Sequence, residues 1–339
     1  MTRKEFIQGT AGAVGLAAMA NAARRGGSEE DIYDIYPVPP VAWSRGPKRS
    51  LSNQENEKIF NYLVTQGVKR VVYGGNAMVY HMSLPQYSEM VEWLSGKTER
   101  AEIIPAVGPS YGRALDHAAV VRGRRFHSLL VLPSTSDPRD AQGLETGLRE
   151  IAETAGIPLS LYIRDETNFG ADKQAGLDVI GRLVDAKVCS TIKYAAVRTN
   201  PADDSYLRAL LTRVDPSHVI SGIGERPAIV HLRDFKLAGF TTGSGVIAPK
   251  LCRDLLNACR DRDYAKAEDI RQQFLPLEDL RDAWGPPKIL HYAVALAGIG
   301  DTGSILPYLS GLSPAQLAQL GPVAKALAGE TQTSADASD

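Results

Sequence analysis

Between about residues 31 and 250 the chain alternates short β-branched runs with segments of helical spacing, and eight strand-like runs can be counted. They fall at 35–41, 68–73, 103–107, 127–132, 158–163, 188–194, 218–221 and 239–243. Helical patterns separate them at 52–66, 86–94, 113–122, 144–155, 175–186, 205–213 and 227–236. Strands joined through helices pair in parallel, because a parallel neighbour is reached only by a long crossover. Eight is also the number that closes such a sheet on itself. The expected fold is therefore α/β, a (β/α)8 TIM barrel over 31–249 with a C-terminal helical extension. An open doubly wound sheet is the alternative, but no G-x-G-x-x-G turn follows the first strand.

Beyond Pro249 the strands stop, and 250–259, 264–274, 287–297 and 314–328 read as helices of an appended region over 250–328. The small, polar tail at 329–339 is expected to be disordered. Residues 1–30 differ in kind. Thr2-Arg3-Lys4-Glu5-Phe6 precedes a short run of Gly, Ala, Val, Leu and Met, with small-residue cleavage points at Ala18-Met19-Ala20 and Ala20-Asn21-Ala22. These are the parts of an export signal, and the opening resembles a twin-arginine leader with Lys4 in place of the second arginine. A periplasmic location is the favoured expectation, with a cytoplasmic one and an Ala-rich packed helix as the alternative. The run is too short to span a membrane permanently.

Composition narrows the function. A net charge of −1 in 339 residues leaves no basic excess to neutralise phosphates, so nucleic acid is not an expected partner. Cys189, Cys252 and Cys259 fit neither a zinc spacing nor a disulfide framework, and the last two, seven residues apart, read as small buried helix residues. The six histidines show no metal-binding spacing, and no metal site is expected.

In a barrel, reactive groups sit at the C-terminal ends of strands. On the sixth strand, alternation puts Cys189, Thr191 and Lys193 on one face and Val188 and Ile192 on the other. On the fifth, Leu159, Leu161 and Ile163 make the outer face, leaving Ser160, Tyr162 and Arg164 inward or at the rim. Adjacent strands lie about 4.8 Å apart, so Tyr162 and Lys193 are expected to be neighbours at one mouth. An enclosed lysine amine condenses with a ketone to an iminium, an electron sink for the neighbouring carbon bond, and a phenol beside it can move the protons. The plainer alternative makes Lys193 a snorkelling rim residue and Tyr162 an ordinary barrel aromatic.

Several segments occur in the order found in one family. Leu161-Tyr162 precedes Thr191-Ile192-Lys193; Gly74-Gly75-Asn76 precedes Ser83-Leu84; Ser221-Gly222 and Gly243-Ser244-Gly245 follow. A final run carries Gly298, Gly303, Leu306-Pro307 and Leu309-Ser310. The set, over about residues 33–328, resembles the dihydrodipicolinate synthase/N-acetylneuraminate lyase family of the class I aldolase superfamily. That resemblance implies a Schiff base on Lys193, proton shuttling by Tyr162, and a loop of Gly74, Gly75, Asn76 and Ala77 whose N–H groups cradle a 2-oxo acid carboxylate. It further implies that Gly222, Thr242 and Gly243 lie at the substrate site, that the enzyme is a homo-oligomer (tetramer or dimer), and that no dissociable cofactor is needed beyond the covalent imine.

The chain also departs from the pattern. Asn76-Ala77-Met78-Val79-Tyr80 replaces the hydroxyl-bearing family loop, with Tyr80 or His81 as the polar groups nearby. Ser134-Thr135-Ser136-Asp137 stands where the synthase branch has its relay tyrosine, and Arg164 begins a long loop after Tyr162. The reading is thus a lyase acting on a 2-oxo acid or sugar acid by aldol cleavage, condensation or dehydration, with Arg164, Tyr80, Ser134 and Thr135 as rim groups for selectivity. The alternatives are a non-catalytic small-molecule-binding barrel and dihydrodipicolinate synthase proper.

Overall fold

The structure is a computed structural model that describes residues 33–134 and 139–336. The leader read at 1–30 and rim residue Thr135 lie outside the described residues. The strands are β1 (Asp34–Pro37), β2 (Arg70–Tyr73), β3 (Glu102–Val107), β4 (Leu129–Val131), β5 (Leu159–Ile163), β6 (Cys189–Tyr194), β7 (Val219–Ser221) and β8 (Gly239–Thr242). From β2 to β8 each strand pairs in parallel with its sequence neighbour, β1 pairs in parallel with β8, and β1 and β2 form the two edges of the sheet. Together they form a nearly closed eight-stranded barrel. Around it run α1 (Asn53–Thr65), α2 (Leu84–Ser95), α3 (Tyr111–Val121), α4 (Ala141–Ala155), α5 (Lys173–Asp185), α6 (Ser205–Leu210) and α7 (Ala228–Asp234).

Local chemistry sets the helix starts. Ser83 and Gln86 form a reciprocal capping box at α2, with Pro85 in the first turn, so two orphan N–H groups are satisfied before the helix propagates. Asp140 caps α4 and Asp172 caps α5 through side-chain oxygens. At the N-terminal end of the barrel, buried Asp34 accepts from Arg70 at 3.0 Å and Arg253 at 3.1 Å, fastening β1, β2 and α8 (Pro249–Arg260) together. The carboxylate is paired twice, which makes its burial tolerable.

Past the barrel come α8, α9 (Tyr264–Trp284), α10 (Pro286–Leu296) and α11 (Pro314–Asp336). Cys252 and Cys259 are both buried on α8. Two helices outrun the sequence expectation. The backbone of α11 continues eight residues past 328, into the stretch read as a disordered tail. The expected stop of α9 at Phe274, ahead of Pro276, does not occur. Proline normally costs a helix about 3 kcal/mol, but here burial of Leu277, Glu278 and Arg281 on the next turns outweighs it. No helix among the described residues is long and apolar enough to cross a membrane.

Candidate functional site

The β5–β6 ladder makes Tyr162 and Lys193 direct partners. It also slips once: Leu159 faces Cys189, but Ser160 faces Thr191, so Ser190 is the extra residue of a bulge. Residues paired across a ladder point to the same side, which puts Cys189 with Leu159 on the outer face. The expectation that Cys189 shares the Lys193 face is corrected by that one inserted residue. Burial pushes the Cys189 thiol up to about 12, and it bonds the Thr191 carbonyl at 3.2 Å. It is an inert packing group.

Lys193 is 7% exposed, and its Nζ lies 4.2 Å from the centroid of the Tyr162 ring. Among the described residues the amine has no hydrogen bond and no ion pair. Tyr80, from the short turn Val79–His81 after β2, joins this mouth. Burial, reinforced by Tyr162, raises the Tyr80 phenol above its ordinary value, while Arg164 pulls it back. Tyr162 and Arg164 are thus within electrostatic reach of Tyr80. Arg164 itself is exposed at the rim, and its backbone N–H and that of Asp165 are held by the Asn168 side chain at 2.7 and 2.8 Å.

The loop after β2 is propped from below. Asn76 donates its side-chain amide to the Val38 carbonyl at 2.8 Å, and Ala77 is fully buried. A Cβ on Gly74 would sit 3.1 Å from Leu130, whereas one on Gly75 would meet nothing within 4 Å. The backbone N–H groups of Gly75, Asn76 and Ala77 enter no hydrogen bond among the described residues. Asn76 and Ala77 side chains thus anchor the turn, and Gly75 is its open point.

Gly222, Gly243 and Thr242, also expected at the site, are tightly packed. Gly222 is a packing glycine: a Cβ there would lie 2.7 Å from both the Ala195 Cβ and the Tyr194 carbonyl oxygen. Gly243 is pressed against Arg281, 2.4 Å from Nη2 at a hypothetical Cβ. Thr242 donates to the Glu225 carboxylate and accepts from the Gly245 N–H at 2.6 Å, so its hydroxyl is fully engaged. These contacts belong to a buried polar cluster that the sequence reading missed. Glu225 is wholly buried, and burial with Glu278 nearby raises its carboxyl to about 8. Glu278 accepts from Ser244 and from Arg281. No local pattern marks Glu225, because its burying partner arrives only with the extension of α9.

A cleft of about 750 Å³ runs between α3, α4 and the ends of β4 and β5. Leu161, Tyr162 and Ser134 line it, but Lys193 does not. It opens behind the tyrosine rather than over the amine. Geometry at the strand ends, not cleft size, therefore identifies the candidate mouth.

A family model described as "Dihydrodipicolinate synthetase family" matches residues 40–326. The chain belongs to the dihydrodipicolinate synthetase family. A Rhizobium rhizogenes protein named "Probable 5-dehydro-4-deoxyglucarate dehydratase" is 24% identical over 260 residues, 74% of this chain and 81% of its own. The 4-hydroxy-tetrahydrodipicolinate synthase of Acidiphilium cryptum is 28% identical over 200 residues, 57% of this chain and 62% of its own. Among solved structures, the sialic acid aldolase of Ruminococcus gnavus superposes with a TM-score of 0.77 at 12% identity, covering 89% of this chain and 99% of that one. The dihydrodipicolinate synthase of Bacillus clausii gives 0.74 at 18% identity, covering 87% and 98%. At such identities the superpositions speak to the fold alone. The chain is a divergent member of the class I aldolase superfamily that contains these lyases and synthases.

Proposed function

We propose that this family member is a Schiff-base-forming lyase acting on a 2-oxo acid or sugar acid through Lys193. The observation that carries the reading is a nearly buried amine with no carboxylate or hydrogen-bond partner, held over a tyrosine ring at the C-terminal end of β6. A lysine kept for structure would be paired with a carboxylate or a hydrogen-bond acceptor; this one has neither.

In the proposed reaction the amine adds to the C2 carbonyl and water leaves, giving an iminium. The cation then accepts the electron pair of the adjacent C–H or C–C bond to form an enamine. Tyr162 carries the protons, and Tyr80 beside it relays them. The free N–H groups of Gly75, Asn76 and Ala77 bind the C1 carboxylate, since a glycine turn lets the backbone approach an anion closely. Arg164 at the rim offers its planar fork to a second carboxylate. A relative named for a glucarate-derived substrate supports a sugar acid with two acidic ends.

The test is borohydride reduction in the presence of pyruvate and a panel of sugar 2-oxo acids, with peptide mass mapping. An adduct on the peptide bearing Lys193, absent from Lys193→Ala, is expected. No adduct with any of them would defeat the reading.

A further inference from the structure

A second cavity, about 440 Å³, lies between the loop after β1 and the segment joining α10 to α11. Arg45, Arg49, Tyr292, Asp301 and Ser304 line it, and it shares no lining residue with the Lys193 mouth. Its charges are unevenly matched. Arg45 grips both Asp301 oxygens at 3.0 and 3.1 Å, and the same carboxylate also accepts the Gly303 N–H. Asp301 is thereby committed.

Arg49 has no such partner. Its Nε is buried without a hydrogen bond, and its guanidinium makes one long contact, 3.4 Å, to the Pro47 carbonyl. Its backbone is held in the left-handed region at φ 44°, with its carbonyl accepting from Gln86 at 3.3 Å. Two arginines against one aspartate leave the lining with one positive charge. Of the Arg49 donors Nε is shut away from solvent, whereas Nη2 is accessible and without a hydrogen bond, so it is the group that an anion entering the cavity would meet.

We infer that this cavity is a binding site for a small carboxylic acid, with the Arg49 guanidinium as its anchor and the Tyr292 and Ser304 hydroxyls beside it. The forked donor suits a planar carboxylate, and the volume falls in the range of small-ligand pockets. The site stands next to the mouth, not within it. His81, from the turn after β2, meets Tyr308 edge to face with centroids 5.7 Å apart, and Pro307 and Leu309 on either side of Tyr308 line the cavity.

Titration calorimetry of the full chain with glutarate, and separately with inorganic phosphate, tests the assignment. Glutarate is expected to bind wild type and Lys193→Ala alike, and to bind Arg49→Gln at least about tenfold more weakly. Ser304→Glu, which cancels the net charge of the lining, is expected to weaken it similarly and serves if Arg49→Gln melts early. Four results would overturn the inference: no binding to wild type up to about 10 mM, undiminished binding to both pocket variants, loss of binding in Lys193→Ala, or phosphate bound more tightly than glutarate.

Discussion

The Lys193 ammonium nitrogen rests over the face of the Tyr162 ring, 4.2 Å from its centroid. An aromatic face stabilises a cation that has lost its water, here by about 1–2 kcal/mol. The same face would serve the iminium formed on that nitrogen: the ammonium first gives up a proton to become the nucleophile, and loss of water from the adduct then restores a positive charge at the same place. Tyr162 thus offers two separable properties, a ring that holds charge and a hydroxyl that holds a proton.

Substituting Tyr162→Phe separates them. The ring remains, so borohydride trapping of pyruvate on Lys193 is expected to persist. Turnover is expected to drop by about 10² to 10⁴, the usual worth of a general acid–base group. Tyr162→Ala is expected to lose both. Trapping that fails in Tyr162→Phe while the protein stays folded would show that the hydroxyl is needed for imine formation itself.

Arg164 lies at the rim with its backbone fixed by Asn168 and its guanidinium toward solvent. If it reads a distal carboxylate, Arg164→Ala raises KM about tenfold or more for sugar acids with two carboxylates and leaves kcat nearly unchanged. Pyruvate, which has none to offer there, traps on Lys193 as before. Steady-state kinetics on a mono- and a dicarboxylic sugar acid decide it, and equal losses on both would remove Arg164 from substrate selection.

Much of this arrangement was legible before any coordinates. Apolar alternation at Leu159, Leu161 and Ile163 fixes which way Tyr162 faces, and register with β6 then brings Lys193 beside it. The bulge at Ser190 was not legible. One extra residue carries no local signature, yet it turns Cys189 to the other face. The run of α9 past Pro276 was hidden for a different reason: tertiary burial of Leu277, Glu278 and Arg281 overrides a local breaker. With that helix end went the buried acid cluster, since Glu225 becomes a core residue only when α9 covers it. Gly222, Thr242 and Gly243 are expected at the site from the family resemblance alone; their close contacts with Tyr194, Glu225 and Arg281 come from packing that spacing does not encode.

Gly303 offers a test of how the C-terminal segment is fastened to the barrel. It sits at φ +70°, bridged to Trp43, and a Cβ there would fall 1.7 Å from the Trp43 carbonyl oxygen. Neither the left-handed backbone nor the clash can be relieved by rotating a side chain. Gly303→Ala is expected to destabilise the protein by roughly 2 kcal/mol or more, measured as a lowered midpoint in urea. Gly75→Ala, which meets open space, is expected to cost far less stability. A midpoint for Gly303→Ala within error of wild type would mean that the Trp43 bridge does not hold in solution.

The buried acid cluster sets the alkaline limit of stability. Burial first, and Glu278 second, raise the Glu225 carboxyl to about 8, while Thr242 and Arg281 pull it down. Cys252, on the α8 side, approaches the same carboxylate with its thiol at 3.8 Å. In the unfolded chain Glu225 sheds its proton near pH 4.3. Between those values the folded protein keeps a proton that the unfolded chain has lost, so stability is greatest at the acid end of this window and declines as pH rises toward 8. Buried His231 and His291 act in the opposite sense. Burial lowers both to about 4, so the unfolded chain takes up protons first and stability falls as pH drops from about 6.5 toward 4. Thermal melts from pH 5 to 9 are therefore expected to show a maximum near the middle of the range. Glu225→Gln keeps the shape and presents an amide to Glu278, with no proton to lose. It is expected to remove the decline between about pH 6.5 and 8 and to steepen the rise below pH 6.5, where the Glu225 proton otherwise opposes the histidines. An alkaline decline as steep in Glu225→Gln as in wild type would assign that titration to another group, with Glu278→Gln the next variant to melt.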